Sequence, residues 1–207
     1  MKRITSIETQ VKNAKRCSIF LDGEFFCGLT LEAVVLNRLK EGMMIEEQTL
    51  VNIQLDSEKQ TVLDKAMTYL TASVKTEKQV VDYLLGKGYT QAVIDYVCEK
   101  LNGYGFLSDE DYARRYVETY SKNKGVRLIK TELRRKGVSD EDMQGALDEI
   151  QGQAETATAI AEKYMRGKTP DIKTVQKLYR HLLTKGFTYD DAKSAVEKIK
   201  LDENEFE

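Results

Sequence analysis

Seven basic side chains lie between Lys122 and Lys136 (Lys122, Lys124, Arg127, Lys130, Arg134, Arg135 and Lys136), against one carboxylate, Glu132. Arg127, Lys130 and Arg134 follow one another at spacings of three and four, which on a helix sets them along one outward stripe. Ile129 and Leu133 then turn inward. Arg114 and Arg115, on the preceding helical stretch, face away from its Tyr112, Tyr116 and Tyr120. Such a grouping performs no covalent chemistry. It neutralises charge, and its counterparts are a phosphate backbone or an acidic protein surface. The bland alternative is a solvated charged face. One sign concentrated at the middle of a 207-residue chain with a formal net charge of −2 makes this stretch the expected contact for DNA or an acidic surface. The candidate residues are Arg114, Arg115, Lys122, Lys124, Arg127, Lys130, Arg134 and Arg135.

No comparable grouping supports catalysis. The only histidine, His181, sits among Leu178, Leu182 and Leu183 and reads as a partly buried helix position. No histidine, cysteine or carboxylate spacing suits a metal, and no glycine-rich phosphate loop follows a strand. The carboxylates fall in helix first turns, where capping accounts for them. The expectation is a protein without enzymatic activity, cofactor or metal. Cys17, Cys27 and Cys98 form no Cys-x-x-Cys pair. If Asp22-Gly23 turns a two-residue hairpin, facing residues sum to 45. Cys17 and Cys27 then point to opposite sheet faces, and no bridge is expected. With no signal peptide and no apolar run of transmembrane length, the chain reads as a reduced, soluble, cytoplasmic protein.

The elements that must position the stripe announce themselves by repetition. "LLGKGYT" from Leu84, "LRRKGVS" from Leu133 and "LLTKGFT" from Leu182 place Lys87, Lys136 and Lys185 at two equal intervals of 49 (136 − 87 and 185 − 136). With Gly137 just past a helix in the left-handed conformation, Leu133 and Val138 become the apolar pair of a Schellman stop. Ser139 is then the N-cap of the next helix, Asp142 its capping-box partner, and Val138 staples onto Met143. The same count gives Leu84 with Tyr89 and Leu182 with Phe187, capped by Thr90 and Thr188. Upstream of the middle corner, Ser108 caps a helix with Asp111 as partner, Leu107 stapling onto Tyr112, and the three tyrosines with Ala113 and Val117 form a buried stripe. Each unit is thus one helix followed by two that meet at a Lys-Gly corner.

Residues 1–57 differ. "CSIFLDGEFFCGLT" reads as two strands about Asp22-Gly23, "RITSIETQV" as another, and "TLEAVVLNRLKEG" as a helix with Thr30 as N-cap and Leu31, Val34, Val35 and Leu39 on its apolar face. The expected fold is mainly α: tandem three-helix repeats in an elongated, curved array with a small β-containing N-terminal extension. The expected divisions are 1–57, 58–103, 104–151 and 152–207, the last ending in a frayed acidic tail, "LDENEFE".

"GFLSDEDYARRYV", "GVRLIKTELRRKGV" and "LYRHLLTKGFTYDDAKSAV", in this order, resemble the RecX regulatory proteins of bacteria, and "IFLDGEFFCGLTLEAVV" resembles the extension of some members. The resemblance spans nearly the whole chain. It departs from the family pattern at "SVKTEKQV", where arginine-proline-arginine is expected and only Lys75 is basic, and at Val126, where proline is common. The resemblance implies a modulator of the RecA recombinase, acting in recombination and DNA repair without chemistry of its own. It implies as partners the RecA filament and the single-stranded DNA within it, with the chain in the filament groove, hindering growth, ATP hydrolysis and strand exchange or promoting disassembly. The chain itself is expected to be a monomer. The rival reading is a plain DNA-binding protein using its helix–turn–helix corners. Against it, the residues after each corner ("TQAVI", "SDEDM", "TYDDA") lack the arginines, lysines and asparagines of a recognition helix.

Overall fold

A computed structural model describes residues 1–11 and 13–204, without the side chains from 200 onward. Of the expected frayed tail, residues 201–204 continue a helix and 205–207 lie outside the described residues. The chain divides into two compact units, Met1–Ser108 and Asp109–Glu207.

In the first unit, strands β1 (Lys2–Gln10), β2 (Asn13–Leu21), β3 (Glu24–Thr30) and the short β4 (Met44–Ile45) form one sheet in the order β3-β2-β1-β4. Asp22 and Gly23 both take positive φ, 50° and 92°, as a two-residue hairpin turn demands. Leu21 faces Glu24 and Phe20 faces Phe25, so the sum of 45 holds for two pairs. A bulge then shifts the register, and Ile19 faces Cys27 while Cys17 faces Leu29. This corrects the expectation for the thiols. The extra residue restores parity, so Cys17 and Cys27 share the buried face, two register positions apart and both free. Burial pushes the Cys27 thiol up to about 12. Helix α1 (Leu31–Leu36) starts at Thr30, whose hydroxyl accepts the Ala33 N–H at 3.1 Å. It stops one turn short of the expectation, and Leu31 and Val35 are exposed while Ala33, Val34 and Leu39 are buried.

Helix α2 (Glu47–Thr71) runs through residues 57 and 58 unbroken, so the expected division there falls inside a helix. Its N-terminal half carries Leu50 into the core of the sheet. Its C-terminal half carries Val62, Leu63 and Ala66 into the core of a helix triplet completed by α3 (Glu77–Leu85) and α4 (Gln91–Gly103). Between the two halves, on the same stripe, sit buried Gln54 and Glu58. Glu58 forms an ion pair with Arg16 of β2 and accepts the Thr30 N–H at 3.1 Å. Arg16 also donates to the Gly28 carbonyl at 3.1 Å and lies 4.7 Å from the Tyr89 ring centroid. Burial raises the Glu58 carboxyl above its ordinary range despite the pull of Arg16.

The second unit holds two further triplets: α5 (Asp109–Tyr120), α6 (Val126–Arg135) and α7 (Asp140–Asp148), then α8 (Gln153–Met165), α9 (Ile172–Thr184) and α10 (Tyr189–Asn204). All three Lys-Gly corners are Schellman stops. The N–H groups of Tyr89, Val138 and Phe187 reach back to the carbonyls of Leu84, Leu133 and Leu182 at 3.3, 3.1 and 3.3 Å. Gly88, Gly137 and Gly186 have φ of 81°, 96° and 87°, and each apolar pair is buried. Ser139 and Thr188 cap as expected, accepting the Asp142 and Asp191 N–H groups at 3.0 and 3.1 Å. Asp142 and Asp191, one carbon shorter than glutamate, take the cap hydroxyls at 2.5 and 2.6 Å. Thr90 departs from the pattern. Its hydroxyl is buried without a partner, and its backbone N–H is held by Gln54 Oε1 at 2.5 Å.

Two corners also dock onto the module before them. Gly88 O accepts the Gly28 N–H at 2.8 Å and Gln54 Nε2 at 3.1 Å. In the second unit, Lys185 O accepts the Gly125 N–H at 2.8 Å, and Gly186 O accepts the Arg127 N–H at 3.1 Å. Gln153 Oε1 takes the intervening Val126 N–H at 3.1 Å. The first N–H groups of a helix lack acceptors within it, and Gly125 at the N-cap has no side chain to offer. Here the third triplet provides them.

Replacing Arg16 by methionine leaves Glu58 buried and unpaired. Urea unfolding should show a loss of about 3–5 kcal/mol, while Arg16→Met with Glu58→Leu should recover most of it. The Glu58 pKa lies above its unfolded value. The single variant is therefore least impaired at low pH and loses further stability as pH rises through the carboxylate range. Equal loss in the single and double variants would contradict the pairing.

Gly125 has an ordinary φ of −77°, so its lack of a Cβ serves proximity alone. A Cβ there would overlap the Gly186 backbone. Gly125→Ala should cost about 1–3 kcal/mol of overpacking. Gly145→Ala, on open helix surface, should be neutral or stabilising by up to about 1 kcal/mol.

Candidate functional site

The basic residues of the middle triplet stand on two helices held by one core. Ala113 and Val117 of α5 pack with Ile129 and Leu133 of α6 and Val138 and Met143 beyond the corner. This geometry turns the expected stripe outward: Arg127 and Arg134 are exposed and Lys130 is half-buried.

Four of the eight predicted cations already have anionic partners. Arg134 grips Asp140 of α7 through two parallel bonds, Nε to Oδ1 at 2.7 Å and Nη2 to Oδ2 at 2.6 Å. Lys130 Nζ approaches the same carboxylate at 3.6 Å. The Arg134 hydrogen bond, ahead of the charges around it, holds Asp140 down at about 2. Arg114 bonds Glu110 at 3.0 Å and Asp111 at 3.3 Å on its own helix. Lys124 Nζ reaches both oxygens of Glu132, at 2.8 and 2.6 Å. Arg127 instead lies over the Tyr189 ring at 5.1 Å, a cation–π contact with the third triplet. Among the described residues, Arg115, Lys122 and Arg135 are exposed and carry no ion pair.

The tyrosines correct a further expectation. Ala113 and Val117 are buried, but Tyr112 and Tyr116 are half-buried and Tyr120 is 36% exposed. Their rings form a ladder, with centroids 6.1 and 4.4 Å apart. Lys124 lies 4.3 Å over Tyr120, and Lys136 lies 5.8 and 5.7 Å over Tyr112 and Tyr116. The Tyr116 hydroxyl donates to Glu132 at 2.7 Å. Burial and that bond raise the phenol above its ordinary range. Burial opposes ionisation of Glu132, yet the bonds from Lys124 and Tyr116 prevail and hold its carboxyl low. Tyrosine is amphipathic, so an i, i+4 spacing fits the rim of a core as well as its centre.

His181 packs as expected, half-buried with its ring 5.0 Å from Tyr164. Burial first, then Lys185 and Lys168, lower its pKa. A cleft of about 800 Å³ in the first unit is lined by residues including Arg16, Lys65, Tyr83, Lys87 and Tyr89, with Glu8 its one carboxylate. No group of three or more metal-ligating side chains occurs among the described residues, and no helix there is long and apolar enough to cross a membrane.

Three helix triplets with glycine-stopped corners, following a four-stranded sheet in the sequence, define a helical-repeat protein with cationic helix faces. Family profiles match in the same order: the regulatory protein RecX N-terminal domain at residues 2–46, and the first, second and third RecX three-helix domains at 63–101, 108–147 and 151–196. The chain belongs to the RecX family of regulatory proteins. It is 32% identical to the regulatory protein RecX of Bacillus licheniformis over 204 residues, 96% of this chain and 78% of that one. It is 32% identical to that of Clostridium perfringens over 205 residues, 96% of this chain and 97% of that one. The crystal structure of a regulatory protein RecX superposes with a TM-score of 0.62 at 28% identity, covering 93% of this chain and 98% of that one. RecX from Lactobacillus salivarius gives 0.64 at 28% identity, over 71% and 99%.

The carboxylates that hold the middle cations make a prediction. Asp140→Asn should free Arg134 and Lys130. Titration of a labelled single strand should then show tighter binding at low salt, with a slope of log affinity against log salt steeper by up to about 1.4. Unchanged affinity and slope would mean that these two cations stand away from the polymer.

Proposed function

We propose that the protein is a non-enzymatic regulator of homologous recombination that binds the RecA filament formed on single-stranded DNA and restrains its growth, ATP hydrolysis and strand exchange. It acts as a cytoplasmic monomer. The observation that carries this reading is the unbroken series of four RecX domains along the chain, in relatives named regulatory proteins. The exposed cations Arg115, Lys122, Arg127 and Arg135 are its first contacts in the middle repeat. Arg114, Lys124, Lys130 and Arg134 join by exchanging their own carboxylates for phosphates or for acidic side chains of the filament.

The test is the DNA-dependent ATPase of RecA with increasing amounts of this protein at two salt concentrations. The rate should fall with added protein, and more protein should be needed at the higher salt, because the contact displaces counterions. An ATPase rate that stays constant at saturating protein at both salts would contradict the proposal.

A further inference from the structure

A second cationic surface lies in the third triplet. From Lys163 to Lys185 there are seven basic residues (Lys163, Arg166, Lys168, Lys173, Lys177, Arg180 and Lys185) against one carboxylate, Asp171. The ratio equals that of the middle stretch, but the charges are disposed differently. Helix α9 buries Val175, Leu178 and Leu182 on one face and exposes Lys173, Lys177 and Arg180 on the other. None of these three has an ion pair among the described residues, nor do exposed Lys163, Arg166 and Lys168.

The 49-residue period shows why for Lys173, which corresponds to Lys124, while Lys177 and Arg180 stand where the middle triplet has Leu128 and Thr131. Helices α6 and α9 end at Arg135 and Thr184, and α7 and α10 begin at Asp140 and Tyr189, so this part of the two triplets aligns residue for residue. Glu132, which holds Lys124, corresponds to His181, and Asp140, which holds Lys130 and Arg134, corresponds to Tyr189. The third triplet has exchanged both clasping carboxylates for neutral groups. Asp171 caps α9, with its carboxylate on the Thr174 N–H at 2.6 Å and near Lys177.

We propose that the exposed face of α9, through Lys173, Lys177 and Arg180, is a binding site for the phosphodiester backbone of single-stranded nucleic acid. At 1.5 Å per residue, neighbouring cations stand about 4.5–6 Å apart along the axis. That is one to two phosphates on a strand rising about 3.4 Å per nucleotide. Beside the stripe, Lys168 lies 3.4 Å over the Tyr164 ring, which also meets His181 at 5.0 Å. Aromatic rings set among cations are what successive bases and phosphates require, and an acidic protein surface gains nothing from them. This site rests on the reading of the protein as a partner of DNA-bearing filaments, and names where the strand is held.

The experiment measures fluorescence anisotropy of a labelled oligothymidylate with the full chain and with K173E/K177E/R180E, across a salt series. The three side chains are exposed, so circular dichroism and the melting temperature should not change. A second variant, K173Q/K177Q/R180Q, removes charge without reversing it. Affinity at low salt should fall at least about tenfold in the reversed variant and less in the neutral one, and the salt slope should drop by about 2 in both. Wild-type affinity and slope in the variants would overturn the site, as would a wild-type chain that does not bind the oligothymidylate. So would a loss confined to binding of polyglutamate, which would mark an acidic protein partner. RecA ATPase in parallel separates the two readings. A wild-type effect on RecA with unchanged DNA slopes sinks only this site. Altered slopes without any effect on RecA sink only the regulatory role.

Discussion

A helix that stops at a left-handed glycine turns the carbonyls of the corner residues outward, and in this protein two such corners use them to hold the module before. Gly88 O takes the N–H of Gly28, while Lys185 O and Gly186 O take those of Gly125 and Arg127. At the second dock this approach needs glycine on both sides, since a Cβ on Gly125 would overlap the Gly186 backbone and one on Gly186 would overlap Leu128. Side chains complete each dock. Gln54 donates to the carbonyls of both Gly28 and Gly88, and Gln153 Oε1 accepts the Val126 N–H at the start of α6. One motif therefore ends a helix, starts the next and joins two modules.

The placement of the cationic faces of the second unit follows from that joint. Helix α6 receives its N-terminal hydrogen bonds from the third triplet, so its cations and those leading into the third corner belong to one continuous framework. Arg127 marks the seam, with its N–H on Gly186 and its guanidinium over Tyr189. Within this framework four of the middle cations are held by Glu110, Asp111, Glu132 and Asp140, whereas the α9 cations carry no ion pair among the described residues. An ion pair at an exposed site is weak, and a phosphate can displace the carboxylate at little cost.

The corners were legible because each is encoded locally. A leucine, a glycine four residues on, an apolar residue and a hydroxyl suffice, and the interval of 49 identifies them. The helix triplets and the hairpin turn followed from the same short-range rules. The docking was not legible, since Gly28 and Gly125 look like ordinary turn residues until their partners come close in space. Arg16, Gln54 and Glu58 went unnoticed for a related reason. Gln54 and Glu58 fall four residues apart between Leu50 and Val62, on the apolar stripe of α2, and a polar residue on such a stripe signals a buried network. The bulge beside Phe26 inverted the argument about Cys17 and Cys27 because one extra residue reverses parity. Charge availability also lay beyond the sequence. The run from Lys122 to Lys136 is conspicuous, yet its partner Asp140 stands past the corner. The third-triplet cations are spread over the end of α8, a loop and α9, and that they lack carboxylate partners shows only in the structure.

The most direct test of the joint is native-state hydrogen exchange at the amides of Gly28, Gly125 and Arg127. Gly125 and Arg127 stand at a helix N-terminus, where amides without an acceptor exchange freely. If the corner carbonyls hold them, all three should exchange as slowly as core amides of their own unit, such as those of Val97 and Leu133, opening only with larger unfolding. Exchange at the rate of exposed loop amides would show that the corners do not dock, and the framework that positions both cationic surfaces would fail with them.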